Sequence, residues 1–361
     1  MLELAGVEKA YDGFAFGPVD LCVDAEVLAV LGPSGSGKTT LLSLVAGLVS
    51  PDRGSVTLGG RSLVGRPLAE RRVGLVFQDG ALFPHMTARE NVAYAADDDD
   101  RVAELAATLE IERVLDRRPG SLSGGERRRV ALARTLAADP DALLLDEPLT
   151  SLDVPVRRRL RTELADLFAD LAVPVVYVTH DQRAATALGD RVAVLRDGAI
   201  EQVGTPADVL RRPATPFVAE FTGSDNVFEA TVTTSGDAGA GTGAGEEGVC
   251  LRVGDLTLDV SADAPAGATV TACLRPSRLR VDAPAAPADG GQNVVSGTVG
   301  RWANEGDEYR LVVAVDGADL DLVASVRPGR FEALSLAAGT DVSLAVPADH
   351  VHLITRVSTS T

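Results

Sequence analysis

LGPSGSGKTTLL, Leu31–Leu42, is the stretch on which the fold turns. The apolar run Val27-Leu28-Ala29-Val30 precedes it and Leu41-Leu42 closes it, so a strand, a glycine-rich turn and a helix follow in order. GPSGSGKT (Gly32–Thr39) fits the pattern G-x-x-x-x-G-K-[ST]. Gly32, Gly35 and Gly37 admit backbone angles that aim successive N–H groups at one anion, with Ser34 in the same loop. The helix opening near Lys38 adds its positive end. Lys38 is expected to reach the β- and γ-phosphates of a nucleotide and Thr39 to give its hydroxyl to Mg2+, with Thr40 beside them among the cofactor-binding residues.

A phosphate loop of this kind needs a carboxylate to hold the metal. ALLLDEP (Ala142–Pro148) offers two at the end of an apolar run that reads as a buried parallel strand. Asp146 is expected to hold Mg2+ and Glu147 to act as general base on the attacking water. Neighbouring residues on a strand point to opposite faces, so both roles require the chain to turn at the strand end, as Pro148 allows.

Between these two motifs lies SLSGGERRRVALART, Ser121–Thr135. With its L-S-G-G-E core the chain resembles the ATP-binding cassette (ABC) ATPases, through ordered motifs over residues 1–225. The resemblance implies a P-loop NTPase fold: a RecA-like parallel sheet, an antiparallel β edge and a helical subdomain. It implies ATP and Mg2+ as cofactors. In that family the signature of one subunit, here Ser123, Gly124 and Gly125, caps the γ-phosphate held by the other, so it also implies a homodimer. Tyr11 stands where an aromatic ring stacks on adenine. Gln78 stands where a glutamine touches Mg2+ or the lytic water, and Asp153, in Ser151-Leu152-Asp153, lies in the loop crossing the dimer interface. His180, in VVYVTHD, matches the histidine that contacts the γ-phosphate. Two departures from the pattern, Arg127-Arg128-Arg129 after the signature and Glu26 before the phosphate loop, remove no catalytic group.

The same resemblance points to the importer branch. ALFPHMT (Ala81–Thr87) follows Gln78 where importer ATPases receive a short helix from the membrane subunit; the other reading is that Leu82 and Phe83 fill core. Two transmembrane permease subunits are the implied partners, with an extracytoplasmic solute-binding protein acting through them. Beyond Gly223 the texture changes to glycine, alanine and short alternating runs, which read as the strands of a small barrel. The region repeats itself: NVFEATV (226–232) returns as NVVSGTV (293–299), and AGATVTACL (266–274) as AGTDVSLAV (338–346). We read an ATP-binding domain over 1–225 and an all-β, OB-like regulatory domain of two repeats over 226–361. The second resembles the C-terminal domain of importer ATPases and, in its closing pattern, the molybdate-binding module of molybdate and tungstate importers. The cargo reads as a small oxyanion, molybdate, tungstate or sulfate, with iron(III), polyamine, thiamine and sugar as alternatives. A soluble ATPase acting as a nucleotide switch on a macromolecule is the alternative of another class.

The balance of charge bounds the partners. Asp and Glu number 52 against 34 Lys and Arg, a net charge of −18, and the lysines are Lys9 and Lys38 alone. Nucleic acid is excluded as the main partner, since phosphate contacts need clustered positive charge. The composition reads as an acidic surface suited to high salt, where self-repulsion is screened. Cys22, Cys250 and Cys273 fall in no metal-ligand spacing. No run approaches the ~18 apolar residues of a membrane span, and MLELAGVEKAYDG has no signal pattern. The expected location is therefore the cytoplasmic face of the membrane, as a peripheral subunit.

Overall fold

The computed structural model describes residues 1–77, 80–148, 154–233, 248–284 and 292–354. Contacts divide the chain into two compact units, Met1–Pro206 and Ala207–Thr361.

In the first unit a six-stranded sheet runs in the order Ala199–Gly204, Arg191–Arg196, Val27–Leu31, Val175–Thr179, Ala142–Asp146, Val73–Val76. All neighbours are parallel except the first pair, which is the antiparallel edge. Val27–Leu31 and Val175–Thr179 are buried along their whole length, as unbroken apolar runs covered on both faces must be. The register places Leu31 opposite Thr179 and Asp146 opposite Val178, so three strands end together at one sheet edge. A second, antiparallel sheet orders Phe14–Val23, Leu2–Tyr11, Arg53–Leu58 and Arg61–Ser62.

The helix Lys38–Ala46 lies in the core shared by the two sheets. Leu41, Leu42, Leu44 and Val45 pack in one cluster with Leu2, Leu4, Val56 and Leu58 of the second sheet and Leu28, Val30, Leu144 and Val178 of the first. A helix apolar on most of its circumference has to be buried in this way. Three further helices, Ala88–Ala93, Asp99–Thr108 and Gly124–Ala137, lie between the strands Val73–Val76 and Ala142–Asp146, and Val154–Asp170 and Gln182–Leu188 flank the strand Val175–Thr179. The acidic run at 97–100 is a solvated helix start: Asp98 caps the helix by accepting the Arg101 N–H.

The second unit realises the sequence repeat as strand topology. Each repeat supplies a first strand (Asn226–Thr233; Gln292–Asn304), a hairpin (Val249–Val253 with Leu256–Val260; Tyr309–Val315 with Asp321–Val326) and a fourth strand (Thr269–Leu274; Asp341–Pro347). The fifth strands are exchanged. Arg280–Asp282 of the first repeat pairs with Asp341–Pro347 of the second, and His352–Ile354 of the second pairs with Thr269–Leu274 of the first. The resulting two five-stranded sheets enclose one apolar core, with Phe228, Leu251 and Leu258 beside Val295, Leu311 and Leu344. Residues 207–225 pack within this unit, where Arg275 donates to the carbonyls of Leu210 and Thr222 and His352 Nε2 donates to the Pro213 carbonyl at 3.1 Å.

Candidate active site

The three strand ends converge on a cavity of about 450 Å³ lined by Phe14, Ser34, Gly35, Gly37, Lys38, Thr39, Thr40, Asp146 and Glu147. Gly35 and Gly37 stand at φ 81 and 105, and a Cβ on Gly37 would meet the Phe16 ring at 2.9 Å. Both conditions call for glycine. Gly32 is equally constrained by contact, since its Cβ would lie 2.3 Å from the Leu195 carbonyl oxygen. The Lys38 ammonium is folded onto the loop, donating to the carbonyls of Gly32 and Pro33 at 2.8 Å each. Burial pulls its pKa below the ordinary lysine value, with the charges of Glu147 and Asp146 opposing.

Asp146 is the complementary group. Burial and then the Glu147 charge raise its carboxyl above the usual range, with Lys38 and a hydrogen bond from Thr39 opposing. A hydroxyl and a half-buried carboxylate side by side form a hard-oxygen donor set short of positive charge, which fits Mg2+. Among the described residues no group of three or more His, Cys, Asp and Glu is placed to hold a metal. Mg2+ held by one or two protein oxygens plus phosphate oxygens needs none.

Glu147 solves the geometric problem posed by adjacent carboxylates. Its φ is 45, a left-handed conformation that costs a non-glycine residue on the order of 1–3 kcal/mol and persists where surrounding structure over-determines it. Here its N–H donates to the Val178 carbonyl at 3.1 Å, and the turn lets both carboxylates face one cavity. His180 Nδ1 lies 2.9 Å from Glu147 Oε1. The residues on either side of the histidine are held in place. Thr179 Oγ1 accepts the Asp181 N–H at 3.0 Å, and Asp181 caps the helix Gln182–Leu188 by accepting from Arg183 and Ala184. Asp181 was not among the residues singled out from sequence, although an Asp just before a helical pattern is a cap signal.

Tyr11 stands at the rim, 42% exposed, with its ring centroid 6.4 Å from that of Phe14 and the Lys9 ammonium 5.9 Å away. Phe14, not Tyr11, lines the cavity wall, and sequence reading missed it. Ser123, Gly124 and Gly125 open the helix Gly124–Ala137 and do not line this cavity. Ser123 and Glu126 form a capping box: the Ser123 hydroxyl accepts the Glu126 N–H and Glu126 accepts the Ser123 N–H. The S-x-x-E spacing was its signal. The divergent arginines hold this helix in place, Arg127 donating to the Leu122 carbonyl and Arg129 to that of Leu109. Glu26, the other departure, pairs with Arg191 at 2.9 Å. Gln78 and the loop Ser151–Asp153 lie outside the described residues.

In the segment after Gln78, half-buried Phe83 packs beside the exposed Tyr94 ring. Phe83 meets Tyr94 at 4.9 Å, and the Arg134 guanidinium lies 5.0 Å from the Phe83 centroid. Fully buried Asn91 accepts from the Phe83 N–H and donates to the Thr87 carbonyl, pinning the loop to its helix.

A glycine-lined phosphate loop facing a metal-type carboxylate and a glutamate–histidine pair defines a nucleotide triphosphatase. Comparison with known proteins is specific about which. The model of the family described as ABC transporter matches residues 18–150, and that of the TOBE domain matches residues 272–354. The spermidine/putrescine import ATP-binding protein PotA 1 of Pseudomonas aeruginosa is 41% identical over 77% of this chain and 78% of its own length. The sulfate/thiosulfate import ATP-binding protein CysA of Thermosynechococcus vestitus is 43% identical over 75% and 82%. The Fe(3+) ions import ATP-binding protein FbpC of Streptomyces coelicolor is 46% identical over 81% of each. Among solved structures, the dimeric post-hydrolysis state of the ATP-binding cassette MJ0796 bound to ADP and Pi covers 57% of this chain and 99% of its own, at 31% identity and TM-score 0.52. The chain belongs to the ABC transporter family, as an importer-type ATP-binding ATPase with a C-terminal TOBE domain.

Proposed function

We propose that this ATPase drives uptake of a small inorganic ion, and that two copies close head to tail over two molecules of ATP. The observation carrying the reading is the cavity in which the Lys38 loop meets Asp146 and Glu147. Lys38 exchanges its two loop carbonyls for β- and γ-phosphate oxygens. Thr39 and Asp146 would hold Mg2+, with Gln78 as a further candidate contact, and the metal would supply neutralisation of phosphate charge. Glu147 accepts the proton of the attacking water, and His180 orients that carboxylate and contacts the γ-phosphate. Tyr11 and Phe14 receive the base. Ser123 and Gly124, exposed at a helix N-terminus, cap the nucleotide of the neighbouring copy, and Asp153 crosses the same interface.

Among the described residues no helix is long and apolar enough to cross a membrane. We place the protein at the cytoplasmic face, working on two permease subunits through the Phe83–Tyr94 face, with an extracytoplasmic binding protein as indirect partner. Functionally, residues 1–225 act as the ATP-binding domain and 226–361 as the regulatory domain. For the solute, relatives importing sulfate or ferric ion share 43 and 46% identity, against 41% for the polyamine relative. A sulfate-type oxyanion agrees with the sequence reading and is the first choice; ferric ion, favoured by the 46% relative, is the second.

Deletion of the gene followed by uptake of radiolabelled sulfate, ferric ion and spermidine tests this. Loss of sulfate uptake alone is expected. Loss of ferric uptake alone selects the second reading. Unimpaired uptake of all three, with ATP hydrolysis by the purified chain intact, removes the sulfate, ferric-ion and polyamine readings and leaves molybdate, tungstate, thiamine, sugar and the nucleotide switch to be tested in turn.

A further inference from the structure

The helix Lys38–Ala46 carries charge that runs against its own dipole. Its N-cap, Gly37, provides no side-chain hydrogen bond, and no acidic residue stands in the first turn. A buried cation, Lys38, sits at that end instead. Until an anion arrives, a cation beside the positive end of a helix is unfavourable. Two loop carbonyls and the charges of Glu147 and Asp146 meet Lys38 at that end, and the opposite end is anchored separately.

At that end the last carbonyls of the helix have no intrahelical partner. The Gly47 N–H takes the Ser43 carbonyl at 2.9 Å. Arg71 takes the next two: Nη1 donates to Val45 O at 3.1 Å and to Leu44 O at 3.3 Å, while Nε donates to Arg66 O at 3.2 Å. The residue is only 3% exposed, and all three of these partners are main-chain carbonyls rather than carboxylates. The negative end of the helix thus serves as counter-charge for a buried guanidinium. Gly47 makes the room, because a Cβ there would lie 2.1 Å from the guanidinium carbon. Arg71 also closes the short helix Leu68–Arg71 and leads into Val73–Val76, the strand paired with the one that bears Asp146.

We propose that Arg71 is a positioning residue for nucleotide binding. By anchoring the carbonyl end of the helix it holds the other end, with Lys38, Thr39 and Thr40, in place for an incoming phosphate. The inference rests on the reading of the Lys38 loop as the ATP site.

The test is calorimetric titration of the full chain with ATP and, separately, with inorganic tripolyphosphate, alongside a melting curve. In Arg71→Met both ligands should bind about ten-fold more weakly at unchanged stoichiometry. Arg71→Lys keeps the charge without the fork and should recover to within about three-fold of the native affinity. A merely structural role predicts a lowered melting temperature with native affinity in the folded protein, and that result overturns the proposal. If Arg71→Met does not fold, Arg71→Gln, which keeps a donor but no charge, decides: about ten-fold weaker binding of both ligands at full stoichiometry supports the proposal, and native affinity overturns it. Lys38→Ala separates the two readings. Its loss of both ligands is expected, whereas native binding by that variant overturns the site reading and this inference with it.

Discussion

Glu147 concentrates the chemistry at the residue scale. It holds a left-handed backbone, accepts the contact of His180 and shares a cavity wall with Asp146. Changing it to Gln keeps shape and polarity but removes the group that takes a proton. We predict that Glu147→Gln binds ATP with native affinity while turnover falls by about 100-fold or more, the scale of a lost general base. The same variant should accumulate as an ATP-dependent dimer on size-exclusion chromatography. Turnover at the native rate would exclude Glu147 as the base. Of this site, the loop residues and both carboxylates were legible in the sequence because each sits in a short contiguous motif. So was the need for a turn at the strand end; the left-handed form it takes at Glu147 and the rim position of Tyr11 were not, because both depend on packing against distant strands.

Two asparagines at equivalent points of the repeat tie the sheets of the second unit together at the scale of elements. Asn226 opens the first strand of repeat one, accepts the Val323 N–H and donates to the Val323 carbonyl in the hairpin of repeat two. Asn293, near the start of the matching strand, does the same to Asp259 in the hairpin of repeat one and also donates to the Val346 carbonyl. Each side chain occupies the main-chain groups of an edge strand, which would otherwise lack partners. Asn226 is buried, so truncation strands a donor and an acceptor away from water, whereas the half-buried Asn293 site admits solvent. Asn226→Ala should therefore cost about 1–3 kcal/mol and Asn293→Ala less. Trp302, the single tryptophan, lies in this unit against Tyr309 and Phe331, so its fluorescence follows unfolding of the unit within the whole chain. Equal midpoints for the two variants would contradict the burial argument. The repeat itself was visible in the sequence, but the exchange of fifth strands was not, since three-residue strands have too little pattern to declare a partner.

The governing quantity at the scale of the whole molecule is the net charge of −18. Exposed carboxylates repel one another over a Debye length of about 10 Å at 0.1 M salt and about 3 Å at 1 M. Unfolding midpoints, followed by Trp302 fluorescence and by circular dichroism, should accordingly rise between low and molar KCl. Identical midpoints at both would remove the reading of a surface adapted to salt. Lysine is nearly absent, yet one of the two sits in the phosphate loop, folded onto loop carbonyls, where a compact, flexible ammonium can move onto a phosphate. The other, Lys9, pairs with Asp52 at 2.7 Å beside Tyr11.

The sequence by itself determined the phosphate loop, the buried parallel strands, the capped signature helix and the doubled β region. Each of these is encoded locally, in backbone permission, hydrophobic period or cap chemistry, and local signals survive without tertiary context. Tertiary structure alone decided that Phe14 walls the cavity, that His180 meets Glu147, that the last strands of the two repeats change places, and that Arg71 closes a helix 27 residues upstream. Those contacts join segments far apart in the chain. Their geometry follows from how the sheets and helices bury their apolar faces together, which no single stretch of residues specifies.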